Sequence, residues 1–301
     1  MGTKRFLIAS AFGIALSMPT MAQGNPFDLD DEISDFGVWT SVGVEKKINK
    51  KWGVELEGEF RTADAFNEVA RYSLGISTDY KLISWLKADV GYIFLRDFNR
   101  AENSLQWKSD EYDDDDYQWS KYELDENDAF WRSRHRFNVS LTGSVKLGRF
   151  KLSLRERWQY TYQPEVAFSK VEYDVLRYNI DDWGWAQEAM GLVEHDGYLW
   201  KISEEGEAKN DSKRAKHSHV LRSRLQVEYD IKGVPFEPYA SVEMYNDFDG
   251  FKIKKMRYTI GGDYKINKQH SIGLYYRHQD FSGDDEGEST HILGVGYKFK
   301  F

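Results

Sequence analysis

The chain has 301 residues, a formal net charge of −9, 16% aromatic residues and no cysteine. The length suits one large β-domain or two average domains. The absence of cysteine excludes disulfides and thiolate metal sites, and the acidic balance argues against nucleic acid as a partner, because phosphate backbones bind concentrated basic surfaces.

The N-terminus has the composition of a secretory signal peptide. Lys4 and Arg5 give a positive start, an apolar run follows over residues 6–16, and Thr20-Met21-Ala22 supplies small residues for cleavage. We expect a signal peptide over residues 1–22, cleaved near Ala22. An uncleaved N-terminal helix is the alternative, but the apolar run is short for a membrane span, and no later stretch approaches the roughly 20 apolar residues of one.

From residue 53 onward, apolar and charged residues alternate, as in Val54, Glu55, Leu56 and Glu57. A period of two is typical of a β-strand with one apolar and one charged face. Most repeats of this pattern run for about 10 to 13 residues, close to the length of a tilted strand that crosses a bilayer. The pattern predicts strands over residues 36–48, 52–62, 70–82, 85–96, 130–147, 150–162, 219–231, 236–245, 255–266, 271–280 and 290–301.

The connections between these strands alternate in length. Tight turns at 49–51, 83–84, 148–149, 232–235 and 267–269 separate longer polar connections, of which 97–129 and 163–218 are the longest. Outer-membrane barrels have short periplasmic turns and long external loops. We therefore expect long external loops at 97–129 and 163–218.

One face of each predicted strand is apolar. In 130–147, Trp131, Phe137, Val139 and Leu141 oppose a face of arginines and small polar residues. This suits a soluble barrel with an apolar core or a membrane barrel with a polar lumen. Aromatic residues gather toward the strand ends on the apolar face, as in interfacial girdles. The prediction is an all-β fold, a single antiparallel transmembrane β-barrel in the bacterial outer membrane.

The chain ends in an alternating strand that closes on Phe301. Such an end resembles the signal that the barrel-assembly machinery of the outer membrane reads, so we expect that machinery as a partner. Because bacterial single-chain barrels normally have an even number of strands, we predict 12, with ten as the alternative. The segment 23–35 is too acidic to face lipid and could instead enter the lumen.

Several sequence runs resemble a known family. They include Asp35-Phe36-Gly37-Val38-Trp39, Pro238-Tyr239-Ala240-Ser241 and Gly294-Val295-Gly296-Tyr297. The chain is similar to an uncharacterised family of bacterial outer-membrane β-barrel proteins, described only as a domain of unknown function. The resemblance implies fold and location, and it transfers no catalytic residue.

Charged residues on the polar faces form a predicted ladder inside the barrel. A barrel of about ten to twelve strands has a narrow interior, so opposed Arg and Glu side chains would pair across the lumen. The ladder is a rigid polar filling or the wall of a narrow passage for small solutes. Its members are Glu55, Glu57, Glu59, Arg61, Arg132, Arg134, Arg136, Arg155, Arg157, Arg222 and Arg224.

A lipid-modifying hydrolase, of the lipase or deacylase type, is the alternative function. Ser133 and His135 share the apolar face of one predicted strand, and a Ser nucleophile needs a His base. Side chains two residues apart on a strand lie about 6 to 7 Å apart, however, which is too far for a direct hydrogen bond. The sequence does not decide whether the protein is an enzyme, but it favours a barrel without enzyme activity.

Outer-membrane lipids and lipopolysaccharide are the expected partners. The acidic run 110–117 could hold divalent cations against lipid phosphates, but it lacks the spacing of a calcium loop. His217 and His219 could chelate a transition metal, but they lack further ligands. We expect no cofactor, no resident metal and no nucleic acid.

Overall fold

The computed structural model describes residues 36–112, 118–184, 187–248, 250, 252–281 and 289–301, all of which belong to one compact unit. The predicted signal peptide, the segment 23–35 and most of the acidic run 110–117 lie outside these residues. None of the helices that the structure describes is long and apolar enough to cross a bilayer.

Strands make up most of the described residues, and all eleven predicted strands are present with ends shifted by at most three residues. The helices are a 3-10 turn (Asp64–Phe66), α1 (Ile180–Trp183) and α2 (Gln187–Met190). In chain order the strands are β1 (Phe36–Lys47), β2 (Trp52–Ala63), β3 (Glu68–Lys81), β4 (Leu86–Asn99), β5 (Glu102–Tyr112), β6 (Gln118–Asn127), β7 (Phe130–Leu147), β8 (Phe150–Gln163), β9 (Val166–Asn179), β10 (Val193–His195), β11 (Tyr198–Ile202), β12 (Glu207–Lys213), β13 (Lys216–Tyr229), β14 (Phe236–Asp247), β15 (Ile253–Lys265), β16 (His270–Phe281) and β17 (Thr290–Lys300).

Eleven of these strands close into a barrel in the order β1-β17-β16-β15-β14-β13-β8-β7-β4-β3-β2. Neighbouring strands are antiparallel except for β1 and β17, which run parallel from the pair Phe36 and His291 to the pair Glu45 and Lys300. The predicted count of 12 strands, or ten, is therefore wrong. It assumed antiparallel pairing all around the ring, which requires an even number, whereas one parallel pair lets an odd number close.

The pairing register fixes the tilt of the strands. The paired residues that start at Arg132 on β7 lead through β4, β3 and β2 to Trp39 on β1. From Trp39 the row continues around the other side and returns to β7 at Lys146, 14 residues from Arg132. This stagger with eleven strands corresponds to a strand tilt of roughly 40° and a barrel radius of ~11 Å.

Side chains alternate strictly between the outside and the inside of the barrel. Phe137, Val139 and Leu141 point outward on β7, and Asn138 and Ser140 point inward. Val139 is 44% exposed while Ser140 is 1% exposed. The apolar face of each predicted strand is thus the outer surface, and the polar face is the interior.

Tight turns join the strands at one end, which we call the short-turn end. At Asn49 the side-chain oxygen accepts hydrogen bonds from the backbone N–H groups of Lys51 and Trp52, and Asn267 makes the same pair of bonds in its turn. Gly148 has a φ of +64°, a conformation that costs glycine little. These residues stabilise the tight turns.

The other end carries a second sheet of six strands. Its order is β10-β11-β9-β6-β5, and β12 also pairs with β9. Sequence analysis predicts no strands in 97–129 or 163–218, so this sheet is a finding of the structure. Its small core is built on Tyr178, Leu192 and Leu199, and partly buried side chains pack against them: Trp119, Leu176, Ile180, Trp183 and Met190.

Candidate functional site

The barrel encloses a cavity of about 1390 Å³, which we call the lumen. The lumen extends from Glu55 and Lys298, near the short-turn end, to Gln163 and Lys216, where β8 and β13 meet the second sheet. Its lining includes ten arginines and six carboxylates. The strand alternation therefore produces a polar interior in which cationic groups outnumber anionic ones.

Ten of the eleven charged residues predicted for the lumen line this cavity. The eleventh, Arg132, lies at the second-sheet end of β7 and is 8% exposed. Its guanidinium donates to the carbonyl oxygens of Pro164 at 3.2 Å and Arg214 at 2.6 Å. Arg132 thus anchors the residues before β9 and after β12 to the barrel.

Glu243 on β14 is the central carboxylate of the lumen wall. Its side chain, 8% exposed, forms ion pairs with Arg155 at 2.7 Å, Arg222 at 3.0 Å and Arg257 at 3.8 Å, which come from three other strands. The hydroxyl of Tyr245 also donates to it at 3.1 Å. Because a buried carboxylate is costly unless it is paired and hydrogen-bonded, these contacts fix its position.

Five other carboxylates have cationic partners in the lumen or at its margin. Asp97, which is 5% exposed, pairs with both Arg71 and Arg134, the latter at 2.6 Å. The remaining pairs are Glu59 with Arg61 at 2.7 Å, Asp89 with Arg157 at 3.6 Å, Glu55 with Lys298 at 2.6 Å and Asp247 with Lys254 at 2.9 Å. These pairs join residues on the same strand or on strands one or two positions apart in the barrel wall, whereas the sequence predicts that opposed charges pair across the lumen. The pairs also use fewer acids than there are bases.

Two aromatic rings support the arginines. Trp39, on β1, has the guanidinium carbons of Arg61 at 3.5 Å and Arg277 at 5.0 Å from its ring centroid. Tyr245 has Arg222 at 4.5 Å and Arg257 at 4.7 Å. Cation–π contacts of this kind hold a guanidinium in place without neutralising its charge.

Three lumen arginines have no ion pair in the part of the chain that the structure describes. Arg136 and Arg224 each have a buried Nε atom without a hydrogen-bond partner. Arg277 donates to the hydroxyl of Thr259 at 3.1 Å but contacts no carboxylate. Unpaired cationic charge therefore faces the lumen.

Sequence analysis does not select several residues of this site: Trp39, Glu243, Tyr245, Lys255, Arg257 and Arg277. The alternation of inward and outward side chains along each strand was the sequence signal that could have identified some of them. Glu243 and Tyr245 alternate with Val242 and Met244 along β14, so the period of two already assigns them to the polar face. The contact between Trp39 and its arginines carries no comparable signal, because it depends on how the barrel closes.

Ser133 and His135 lie on the outward face of β7, at the second-sheet end, and each has a different partner. The Ser133 hydroxyl accepts from Arg96 at 3.4 Å, and His135 Nδ1 is hydrogen-bonded to the Tyr92 hydroxyl at 2.8 Å. Neither contact links the Ser to the His as a nucleophile requires. No observation in the described residues favours a hydrolase.

The contact between Tyr92 and His135 recurs elsewhere on the outer surface. In each case the Tyr hydroxyl contacts a His on the neighbouring strand that is two residues away from the residue paired with the Tyr. These contacts join Tyr160 with His217, Tyr276 with His291 and Tyr297 with His270, all at 2.6 Å. Diagonal neighbours on one sheet face are within reach of long side chains. The first two lie with Tyr92 at the second-sheet end, and Tyr297 with His270 lies at the short-turn end.

The described residues offer no convincing metal site. His217 and His219 stack on Tyr160 and Trp158 on the outer surface rather than converging on one point. Glu123, Asp125 and Glu172 cluster on the second sheet, but lysines already hold them: Lys108 bonds Glu123 at 2.8 Å, Lys170 bonds Asp125 at 2.9 Å and Lys209 bonds Glu172 at 2.6 Å.

The fold and the lumen define the class, a closed all-β barrel with an apolar outer surface and a charged interior. The chain belongs to a family described as "Protein of unknown function (DUF2490)", whose model matches residues 36–289. This confirms the family resemblance predicted from the sequence.

Among solved structures, the chain is similar to the translocator domain of the autotransporter NalP from Neisseria meningitidis. The two share 12% identity, with a TM-score of 0.28, over 80% of this chain and 82% of that chain. At that TM-score no role transfers from one barrel to the other. No curated protein matches the chain.

Proposed function

We propose that this protein is an outer-membrane β-barrel whose lumen is a narrow passage or binding chamber for small solutes. The observation that supports the proposal most strongly is the distribution of side chains, which is the reverse of that in a soluble barrel. The apolar residues face outward, and the charged residues face a cavity of about 1390 Å³. A soluble barrel of this size would need the opposite arrangement, with an apolar interior.

The exposed apolar surface supports a lipid environment. Leu74, Ile76 and Ile260 on the outer surface are each more than 50% exposed, and many other large apolar side chains lie beside them. Exposing apolar area to water costs about 25 cal/mol per Å², so a surface of this kind is stable only when hydrocarbon covers it.

Aromatic side chains ring the outer surface at both ends. At the short-turn end, Trp52 stacks with Tyr80, and Phe150 with Tyr229, both at 4.9 Å. At the second-sheet end, Tyr72 and Phe98 pack on Trp131 at 5.3 and 5.2 Å, and the hydrogen-bonded Tyr and His pairs continue the ring. Rings with polar tips suit the two headgroup layers of a membrane.

In this proposal the short turns face the periplasm and the second sheet faces outward, where its rim would contact lipopolysaccharide. Phe301 lies at the short-turn end, with Lys46 at 4.9 Å from its ring, so in this orientation the end of the chain would be on the side from which the assembly machinery acts. Export requires the signal peptide, and the mature chain would then begin at Gln23.

The test is to express the full-length chain, fractionate the membranes and run the protein on SDS gels with and without boiling. We expect an outer-membrane protein with a heat-modifiable band, because a closed barrel resists SDS until heated, and a mature N-terminus at Gln23. A periplasmic protein without a band shift would overturn the proposal. Purified protein in planar bilayers would then report whether the lumen conducts.

A further inference from the structure

We propose that the lumen is selective for small oxyanions, such as inorganic phosphate, sulfate or carboxylates, and that Arg136 and Arg224 are the principal anion-binding groups. The proposal rests on the proposed function and names the class of solute. It starts from a contrast of charge: the chain as a whole carries −9, yet the lumen lining holds ten arginines against six carboxylates.

The fixed carboxylates leave part of this positive charge uncompensated. Glu243 is shared by three arginines, and Asp97 is shared by two. Arg136 on β7 and Arg224 on β13 have no ion pair, and each has a buried Nε atom without a partner. A buried donor without an acceptor costs free energy that an incoming anion would offset.

One of the unpaired arginines, Arg277, is held by aromatic rings, and Arg224 is flanked by residues of the paired cluster. Arg224 lies directly opposite Arg155 and Glu243 in the pairing of β13 with its neighbours, so it lies beside the paired cluster. Arg277 is held over Trp39 at 5.0 Å and over Tyr275 at 4.6 Å. A binding site whose donors are already oriented loses little entropy when a ligand arrives.

The side-chain chemistry favours an oxyanion over other solutes. A guanidinium presents paired N–H donors that match the spacing of carboxylate and phosphate oxygens, and it stays charged at any physiological pH. The same field repels cations, because six carboxylates, five of them already paired, cannot cancel it. Neutral solutes would gain hydrogen bonds from these groups but no ion pair.

The experiment uses purified full-length protein and two measurements. The first is the reversal potential in planar bilayers under a KCl gradient, and the second is calorimetric titration with inorganic phosphate. The variants are Arg136→Gln with Arg224→Gln, combined, and Arg96→Gln as a matched control, because Arg96 faces outward near Ser133 and lies outside the lumen.

We expect the wild-type protein to prefer chloride over potassium and to bind phosphate. The combined variant should bind phosphate about tenfold or more weakly, which corresponds to the loss of a charge-assisted hydrogen bond, and should lose part of its chloride preference. Arg96→Gln should match the wild type in both measurements.

The two proposals fail in different ways. A current that prefers potassium, or that shows no preference, overturns the inference and leaves the passage intact. No current with retained phosphate binding overturns the passage and leaves an anion-binding chamber. No phosphate binding, or equal loss in Arg96→Gln, overturns the assignment of Arg136 and Arg224.

Discussion

Val139 and Arg134 lie on the same strand but face opposite sides of the barrel wall. Val139 pairs with Val90 and Trp158 on the outer surface, and Arg134 reaches Asp97 at 2.6 Å inside. In the proposed membrane location, a positive charge at mid-strand on the outer face would cost about 2 to 4 kcal/mol. We therefore expect Val139→Arg to lower the yield of folded, heat-modifiable barrel.

Arg134→Leu is the matched comparison. Asp97 keeps its second partner, Arg71, so the buried carboxylate stays paired and the barrel should still assemble in membranes. The measurement is the fraction of heat-modifiable protein in outer-membrane preparations of both variants. If Arg134→Leu assembled poorly and Val139→Arg assembled well, the inward and outward faces would be assigned the wrong way round.

Arg132 is the residue that ties the second sheet to the barrel. Arg132→Met would remove the donor to the carbonyls of Pro164 and Arg214, and the loss of a hydrogen bond to a charged group costs about 1.5 to 3 kcal/mol. We expect faster trypsin cleavage after Lys213 or Arg214, with an unchanged heat-modifiable barrel. Arg149→Met, in a short turn at the opposite end, serves as control, and equal cleavage in both variants would refute this role.

At the scale of single residues, the alternation of the sequence assigns a side to nearly every charged residue, and ten of the eleven selected positions line the lumen. The alternation does not predict which charged residues form ion pairs with each other. Arg155 and Glu243 meet although 88 residues separate them, because the closure of the barrel places β8 and β14 on either side of β13. Pairing between strands of the lumen wall depends on strand order and stagger, which no local sequence pattern encodes.

Ion pairs between strands are a main feature of the second sheet. Lys209 on β12 donates to Glu172 on β9, and this hydrogen bond lowers the pKa of the Glu172 carboxyl below its ordinary value of 4.5. Lys170 bonds Asp125 across β9 and β6, and this hydrogen bond raises the pKa of Lys170. Cross-strand pairs therefore contribute to the pairing of a small sheet with a small apolar core.

The lowered pKa gives the pairing of β12 with β9 a defined response to acid. A carboxyl with a depressed pKa stabilises the folded state above its ordinary pKa, and this contribution is lost as the pH falls through the lowered value. We expect amide exchange over residues 207–213, corrected for intrinsic rates, to accelerate below pH 4.5, the ordinary value for Glu172.

Lys209→Met should accelerate the same exchange already at neutral pH, because the stabilising partner is gone. Lys201→Met, which removes a charge from neighbouring β11, is the control and should leave residues 207–213 unchanged. An identical response of the two variants would show that the ion pair does not hold β12.

At the scale of elements, the barrel strands are predictable and the strands of the second sheet are not. A barrel strand here has an apolar outer face and a polar inner face, so its sequence must alternate. Strands such as β5 and β12 have polar residues on both faces, as in Glu207–Lys213, and no period of two marks them. β12 pairs with one edge of β9, and β5 pairs with β6, which lies on the other edge of β9.

For the whole molecule, the sequence predicts a barrel but not its strand number or stagger. Both quantities are properties of the closed ring: they depend on which strand meets β1, and Phe36 meets His291 in a parallel pair that no hairpin turn imposes. Lumen width follows from the same closure, so the choice between a filled interior and a passage needs the structure.

The parallel seam between β1 and β17 also has a consequence for the order in which the barrel forms. Every other pair of neighbouring barrel strands is antiparallel, and most are joined by short connections, whereas Phe36 and His291 are 255 residues apart. Contacts at such separation are reached slowly because the chain must first lose the entropy of a very long loop, and parallel pairs gain slightly less per residue. We therefore expect the hairpins to assemble first. The barrel then closes only when β1 pairs with β17.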